Sequence, residues 1–398
     1  MTTDLRHCAA VDFALTEDQE AIRRSVRELA GRFDDDYWAD LDERHEFPWA
    51  FYTAFAEAGW LGIAIPEQYG GSGLGIQEAS LLVEEIAASG AGMNGCSALH
   101  LTIFGLNTLV KHGSEALRQE ILPRAVDGSL HVCFAVTEPD AGTDTTRIST
   151  IARRDGDAYV ITGRKVWITK AAESQLMVLI ARTTPREEVV KPTDGLSLFL
   201  IEHRAPTVHL EPIRKLGRNA VPSYEVAFDE HRVPASALIG EEGEGFRYLL
   251  DGLNPERILL GAEALGMGRA AIRHAARYAK ERIVFDRPIG QNQGIAFPLA
   301  DSVARLDAAE LMVRNAAWRY DRGLPCGREA NVAKYLAAEA GFTAADRAMQ
   351  TLGGMGYATE YHVERYFREA RILRLAPVSQ EMVLNYVAQH VLDLPRSY

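Results

Sequence analysis

The chain has 398 residues, 47% of them hydrophobic, 25% charged and 8% aromatic, with a net charge of −12. This is the make-up of a folded protein of two or three domains, and the acidic balance argues against a general nucleic-acid or membrane-surface binder. Cys8, Cys96, Cys133 and Cys326 are dispersed, residues 1–12 lack an apolar signal core and no run of 18 apolar residues occurs, so the expectation is a cytoplasmic protein with reduced thiols and no membrane segment.

Residues 1–130 read as a helical domain. Thr16-Glu-Asp-Gln19 matches a capping box and precedes Ile22, Val26, Leu29 and Phe33 at helical spacing. Pro48 fits the first turn of the next helix, running to about Gly59. The glycine-rich stretch 69–75 reads as a flexible loop, and Leu81, Leu82 and Ile86 begin another helix.

Residues 131–240 change character. Short β-rich runs at 176–181, 196–201 and 224–228 are separated by Gly, Pro and charged turns, as in an all-β domain. The stretch 186–194, preceded by Pro185 and containing Pro192 and mixed charge, predicts a mobile surface loop. Two segments stand out. Phe134-Ala-Val136-Thr137 is a strand broken at Glu138-Pro139, because proline removes an amide donor and disfavours helix before it. The loop that follows offers the Thr143 hydroxyl and free amides around Gly142. Residues 159–169 are β-branched and aromatic with a break at Gly163, so they read as a hairpin, ending in the Trp167 indole beside the Thr169 hydroxyl. Apolar faces with a few hydrogen-bonding groups at the edge suit a large flat ring.

Residues 241–398 return to long helices. Asn254-Pro255-Glu256 predicts a helix start, with Asn254 as N-cap, Pro255 in the first turn and Glu256 as a first-turn acid, continuing to about Arg282. Further helices are expected at 292–322, 328–352, 361–366 and 379–391. No His-Glu-x-x-His, zinc spacing, Gly-x-Ser-x-Gly or Walker loop occurs, so no metal site is expected. Gly266-Met-Gly268-Arg-Ala-Ala271 has the letters of a dinucleotide fingerprint but lies within a helical pattern, where close helix packing accounts for its glycines.

The chain resembles the acyl-CoA dehydrogenase family along nearly its whole length. The residues that carry the likeness are Thr137-Glu-Pro-Asp-Ala-Gly-Thr143-Asp144, Trp167-Ile-Thr169, the segment 281–290 with Gln291-Asn-Gln293, and Gln350-Thr-Leu-Gly353-Gly354-Met-Gly356-Tyr357. The resemblance implies an α+β fold: an N-terminal helical domain, a middle β-barrel-like domain and a C-terminal four-helix bundle, usually assembled as a homotetramer, with a dimer as the alternative. It implies FAD held without a Rossmann domain. Thr169 would lie near flavin N5, Trp167 against the ring and Thr137 at its pyrimidine edge, with Phe134 and Val136 beside them. Arg282, Phe285 and Gln293 would meet the FAD of a neighbouring subunit, and Gln350, Gly353 and Gly354 would come from a partner chain. Thr143, more often serine in the family, would also meet substrate.

The implied chemistry is α,β-desaturation of an acyl-CoA thioester, with electrons passed to an electron-transfer flavoprotein. Many members carry the base as the glutamate of a Tyr-Glu-Gly-Thr turn, but here the matching residues are Ala376-Pro377-Val378-Ser379. Proline cannot act as a base, although Ser379 keeps a hydroxyl on the flavin side. A smaller group takes its base from a Glu-Arg pair on the long helix, which here is Glu256-Arg257, with Asn254 and Arg257 placed to meet substrate. Two alternatives stay open at this point: other flavin-assisted acyl-CoA chemistry, such as oxidase or elimination reactions, and a non-catalytic acyl-CoA-binding flavoprotein.

Overall fold

The computed structural model describes residues 14–396, so Cys8 and residues 1–12 lie outside the described residues. Seven helices come first: α1 (Glu17–Ala30), α2 (Asp35–Arg44), α3 (Trp49–Glu57), α4 (Ile76–Ile86), α5 (Gly92–Ile103), α6 (Asn107–His112) and α7 (Glu115–Val126). The Thr16–Gln19 capping box forms with both reciprocal bonds, satisfying amides that the first turn leaves unpaired. Pro48 stands just outside α3 at its N-cap. The 69–75 stretch, expected to be flexible, is pinned, with the Ser72, Gly73 and Leu74 amides donating to the carbonyls of Gly62, Ile65 and Ile63.

The middle of the chain forms β1 (Val132–Ala135), β2 (Ile151–Asp155), β3 (Ala158–Thr169), β4 (Leu176–Arg182), β5 (Leu196–Glu202), β6 (Val208–Pro212), β7 (Ser223–Pro234) and β8 (Leu238–Ile239). They make one sheet in the order β6-β7-β3-β2-β4-β5-β8, with β1 parallel to β4. Residues 159–169 are not a hairpin. They belong to the single strand β3, which absorbs its glycine as an irregularity: Gly163 has φ 152°, and a Cβ there would meet Thr150 at 2.5 Å.

The last part holds α8 (Gly245–Glu281), the small hairpin β9 (Ile283–Val284) and β10 (Arg287–Pro288), then α9 (Gln293–Asp321), α10 (Gly327–Leu352), α11 (Val363–Ala370) and α12 (Gln380–His390). Gly261 and Gly268 of α8 face Val313 and Leu306 of α9, whereas Gly341 of α10 sits on the Ala264 carbonyl. A Cβ on Gly266 would fall 2.1 Å from the Glu84 carbonyl oxygen of α4. These glycines let helix backbones approach, so the fingerprint letters record packing. Residues of α4, α5, α8, α9 and α10 share one large apolar core, and the β-sheet has a second.

Asp42 joins these layers. Buried on α2, it accepts from Asn94 Nδ2 (3.1 Å), the Asn219 amide (2.6 Å) and Arg368 Nη1 (3.1 Å). These donors hold its carboxyl below the usual carboxylate range despite burial.

Candidate active site

Sequence places the two segments expected to meet the ring about thirty residues apart, and the sheet stitches them together. The Val166 amide donates to the Thr137 carbonyl at 2.9 Å. Buried Lys165 reaches back from β3, giving its Nζ to the Val136 carbonyl (3.0 Å) and to Glu138 Oε1 (2.9 Å). Glu138 in turn accepts from the Ser149 amide (2.7 Å), Ser149 Oγ (2.8 Å) and the Thr150 amide (2.9 Å). The carboxyl is held down at about 2 by the Lys165 charge and these donors. The loop of Thr137 to Asp144 is thus tied at its base to the strand that carries Trp167. Glu138 stands in the Thr-Glu-Pro run, but nothing local marks Lys165 as its partner.

Between Lys165 and Ile168, β3 advances three residues while β7 advances two, from Val226 to Tyr224. The extra residue is a bulge, and within it Trp167 adopts φ 65°, a rare conformation for a bulky residue. Strain of about 1–3 kcal/mol is typical of such positions at functional sites. The bulge leaves the indole 53% exposed. Phe134, Val136, Thr137 and Thr169 are half-buried nearby in the chain's two stitched segments, and Thr143 lies exposed beside Gly142, where a Cβ would touch nothing within 4 Å. An open indole face, apolar flanks, hydroxyls and free amides form a donor set that fits an isoalloxazine ring.

The expected residues between Arg282 and Gly354 lie elsewhere. Arg282 follows the end of α8, about 39 Å along the helix from Glu256 at 1.5 Å per residue. Tyr278 packs on Tyr361 at 5.9 Å, which puts the segment after α10 at the same end. Arg282, Phe285, Gln293, Gln350, Gly353 and Gly354 are all exposed, Phe285 at 93% and with φ 52°. Within one chain the structure does not bring these residues to Trp167 and Thr169.

Asn254-Pro255-Glu256 corrects the expected helix start. Helix α8 begins at Gly245, so Asn254 is not its N-cap and Pro255 is an interior residue. The missing Pro255 amide frees the Asp251 carbonyl, which accepts from Asn107 Nδ2 at 3.4 Å instead. Glu256 therefore sits about three turns inside, beyond reach of the helix N-terminus, whose influence fades within one turn. What acts on it is enclosure. The residue as a whole is half-buried, no hydrogen bond or ion pair reaches its carboxyl among the described residues, and burial pushes it up to about 7. Arg257 opposes that rise, whereas Glu263, two turns along the same face, adds to it.

Asn254 accepts from Arg257 Nη1 at 3.2 Å, leaving Arg257 Nε buried without a partner. Lys334 of α10 lies within the field of Arg257 and gives its Nζ to the Val378 carbonyl at 2.6 Å. The 376–379 turn and the Glu-Arg pair are thereby neighbours through Lys334. Ser379 caps α12, its Oγ accepting from the Met382 amide at 3.3 Å. Sequence reading missed three other polar residues beneath this site: Arg218, Glu263 and Glu369. Glu263 is fully buried, with Oε1 2.8 Å from His100 Nδ1 and Oε2 unpartnered. Arg218 and Glu263 carry no local mark, because Thr169 and His100, which they meet, are distant in sequence, and Glu369 reaches from α11 to the Met93 amide and Asn94 of α5.

Models of the acyl-CoA dehydrogenase N-terminal, middle and C-terminal domains match residues 16–129, 133–231 and 243–392. The acyl-CoA dehydrogenase FadE12 of Mycobacterium tuberculosis is 40% identical over 391 residues, covering 97% of this chain and 99% of that protein. The solved complex of glutaryl-coenzyme A dehydrogenase with glutaryl-CoA superposes with a TM-score of 0.90 at 31% identity, covering 97% of this chain and 98% of that one. PigA with FAD and proline gives a TM-score of 0.90 at 26% identity, covering 96% and 99%. The order of helical, sheet and helical regions is that of the acyl-CoA dehydrogenase fold. With all three regions matched end to end and a donor set suited to a flavin ring, the chain belongs to the acyl-CoA dehydrogenase family, and it is an oxidoreductase with FAD as its cofactor.

Proposed function

We propose that this protein dehydrogenates an acyl-CoA thioester to the trans-2-enoyl-CoA, with Glu256 as the base that removes the α-proton. The observation that carries the proposal is the Glu256 carboxyl itself: enclosed, unpaired, raised to about 7 and beside Arg257, in a chain with Pro377 at the usual base position. An ordinary carboxylate is a poor match for so weak a carbon acid, and raising its pKa improves its basicity while leaving it largely ionised above neutrality. Arg257 limits the rise, so the base is not kept permanently protonated. Asn254 steadies Arg257 against the substrate side of α8.

Phe134, Val136, Thr137, Thr143, Trp167 and Thr169 would hold the flavin ring of FAD, and Ser379 would contribute a hydroxyl at its edge. When bound, FAD supplies the acceptor for the β-hydrogen, which leaves as hydride. Arg282, Phe285, Gln293, Gln350, Gly353 and Gly354 would serve the FAD of another copy. The remoteness of these residues from Trp167, and apolar exposure at Ile283 (54%), Phe285 (93%) and Tyr357 (82%), support a homotetramer in which neighbouring subunits complete each other's sites. Electrons would pass on to an electron-transfer flavoprotein.

Proton abstraction by a carboxylate of pKa about 7 has a defined pH signature. The base works only when ionised, so the rate of flavin reduction by acyl-CoA should climb about tenfold per unit below pH 7 and level off above it. Stopped-flow reduction from pH 5.5 to 8.5 measures this. A rate independent of pH across that range would remove Glu256 as the titrating base.

A further inference from the structure

Arg218 lies in the loop before β7 and takes φ of 61°, in the left-handed region. The residue is half-buried and its guanidinium is densely enclosed. It donates from Nη1 to Ser97 Oγ (3.1 Å) and from Nη2 to Thr169 Oγ1 (3.3 Å) and Ser223 Oγ (3.3 Å). No carboxylate forms an ion pair with it among the described residues, although Glu263 and Glu369 lie within its field, as does Lys215, whose Nζ donates to the Gly217 carbonyl at 3.1 Å. A guanidinium cannot discharge by losing its proton. The protein therefore maintains a poorly compensated cation spanning three hydroxyls, one of them Thr169. Leaving a charge in that state is costly unless something gains from it.

The hydroxyl chemistry gives the consequence. Thr169 Oγ1 accepts from Arg218, so one lone pair is occupied, and no protein acceptor takes its proton among the described residues. The O–H is left to donate outward, on the same bulged end of β3 as the exposed Trp167 indole. We propose that Arg218 is a positioning residue of the flavin site: it fixes the Thr169 hydroxyl as an outward donor and places positive charge behind it, which makes the bound flavin easier to reduce. This rests on the reading that the flavin ring lies against Thr169. Two electrons and one proton taken up together add a negative charge, and a nearby cation favours the form that carries it.

The test is the midpoint potential of the holoprotein, measured by dye-equilibrated reductive titration without substrate. Arg218→Gln and Arg218→Met should both retain FAD and weaken two-electron reduction about tenfold, which is about 30 mV more negative for a two-electron couple. If neither variant folds, Arg218→Lys should shift the equilibrium the same way by about threefold, because its point charge cannot span Ser97, Thr169 and Ser223. An unchanged potential in a folded Gln or Met variant, or in the Lys variant if that is the one tested, overturns the inference. Thr169→Val separates the two levels of the argument. If that substitution moves the potential or the flavin absorption band while Arg218 variants do not, the flavin placement stands and only the role of Arg218 falls. If neither position moves them, the placement against Thr169 falls as well.

Discussion

Glu256→Gln should slow flavin reduction by acyl-CoA at least about 10³-fold while FAD stays bound, within the range found for loss of a positioned acid–base group. The amide matches the carboxylate in size, so α8 and its neighbours have no reason to repack. Among the described residues Glu256 forms no hydrogen bond that the substitution would break. Loss of the charge also leaves Arg257 held by Asn254 at 3.2 Å, so binding of substrate should change far less than the reduction rate. Rapid-mixing absorbance at the flavin band separates the two. A variant that reduces its flavin at the wild-type rate would place the base elsewhere.

Lys165→Met carries the largest expected structural cost. Lys165 and Glu138 are 0% and 3% exposed and pair at 2.9 Å in the stitch between the Thr137 loop and β3. Removing the ammonium strands a carboxylate in a dry site, which costs about 3–5 kcal/mol when a buried pair is broken from one side. Ser149 and Thr150 still donate to Glu138, so the loss should fall within that range rather than above it. The loop loses its anchor at the Val136 carbonyl at the same time, so FAD release should come at lower temperature than in the wild type. Thermal unfolding followed by circular dichroism, with flavin fluorescence in parallel, reads both effects. Adding Glu138→Gln to Lys165→Met should recover part of the loss, since the stranded charge is then gone. An unchanged midpoint in Lys165→Met would show that the pair does not support the fold.

Much of the fold was legible because it is local. The Thr16–Gln19 capping box, the helical spacing behind α9 and α10, and the β-rich runs of β4, β5 and β7 each record a preference expressed within a few residues. Strands β2 and β6 escaped because Arg153, Arg154, Asp155, His209 and Glu211 give them charged, half-solvated faces. Gly163 suggested a turn, whereas the backbone uses it to pass Thr150 within one strand. Asn254-Pro255 imitated a helix start, and the true start at Gly245 became possible because Asn107, far away in sequence, satisfies the carbonyl that Pro255 abandons. That displacement matters for chemistry. It takes Glu256 away from a helix terminus that would have stabilised its charge and leaves burial to set its pKa.

The site divides in the same way. Trp167, Thr169 and Glu256, proposed above as site residues, stand in short motifs that a sequence displays directly. Lys165, Arg218 and Glu263 act through partners 27, 49 and 163 positions away, and only the folded chain reveals those pairings.

Anaerobic titration of the purified yellow protein with a panel of acyl-CoA thioesters decides whether Glu256 drives dehydrogenation. Stoichiometric bleaching of the oxidised flavin band is expected with at least one acyl-CoA, with the enoyl-CoA as product, and no comparable bleaching in Glu256→Gln over the same time. A flavin that stays oxidised with every thioester, or that bleaches equally in the Glu256 variant, would contradict that role.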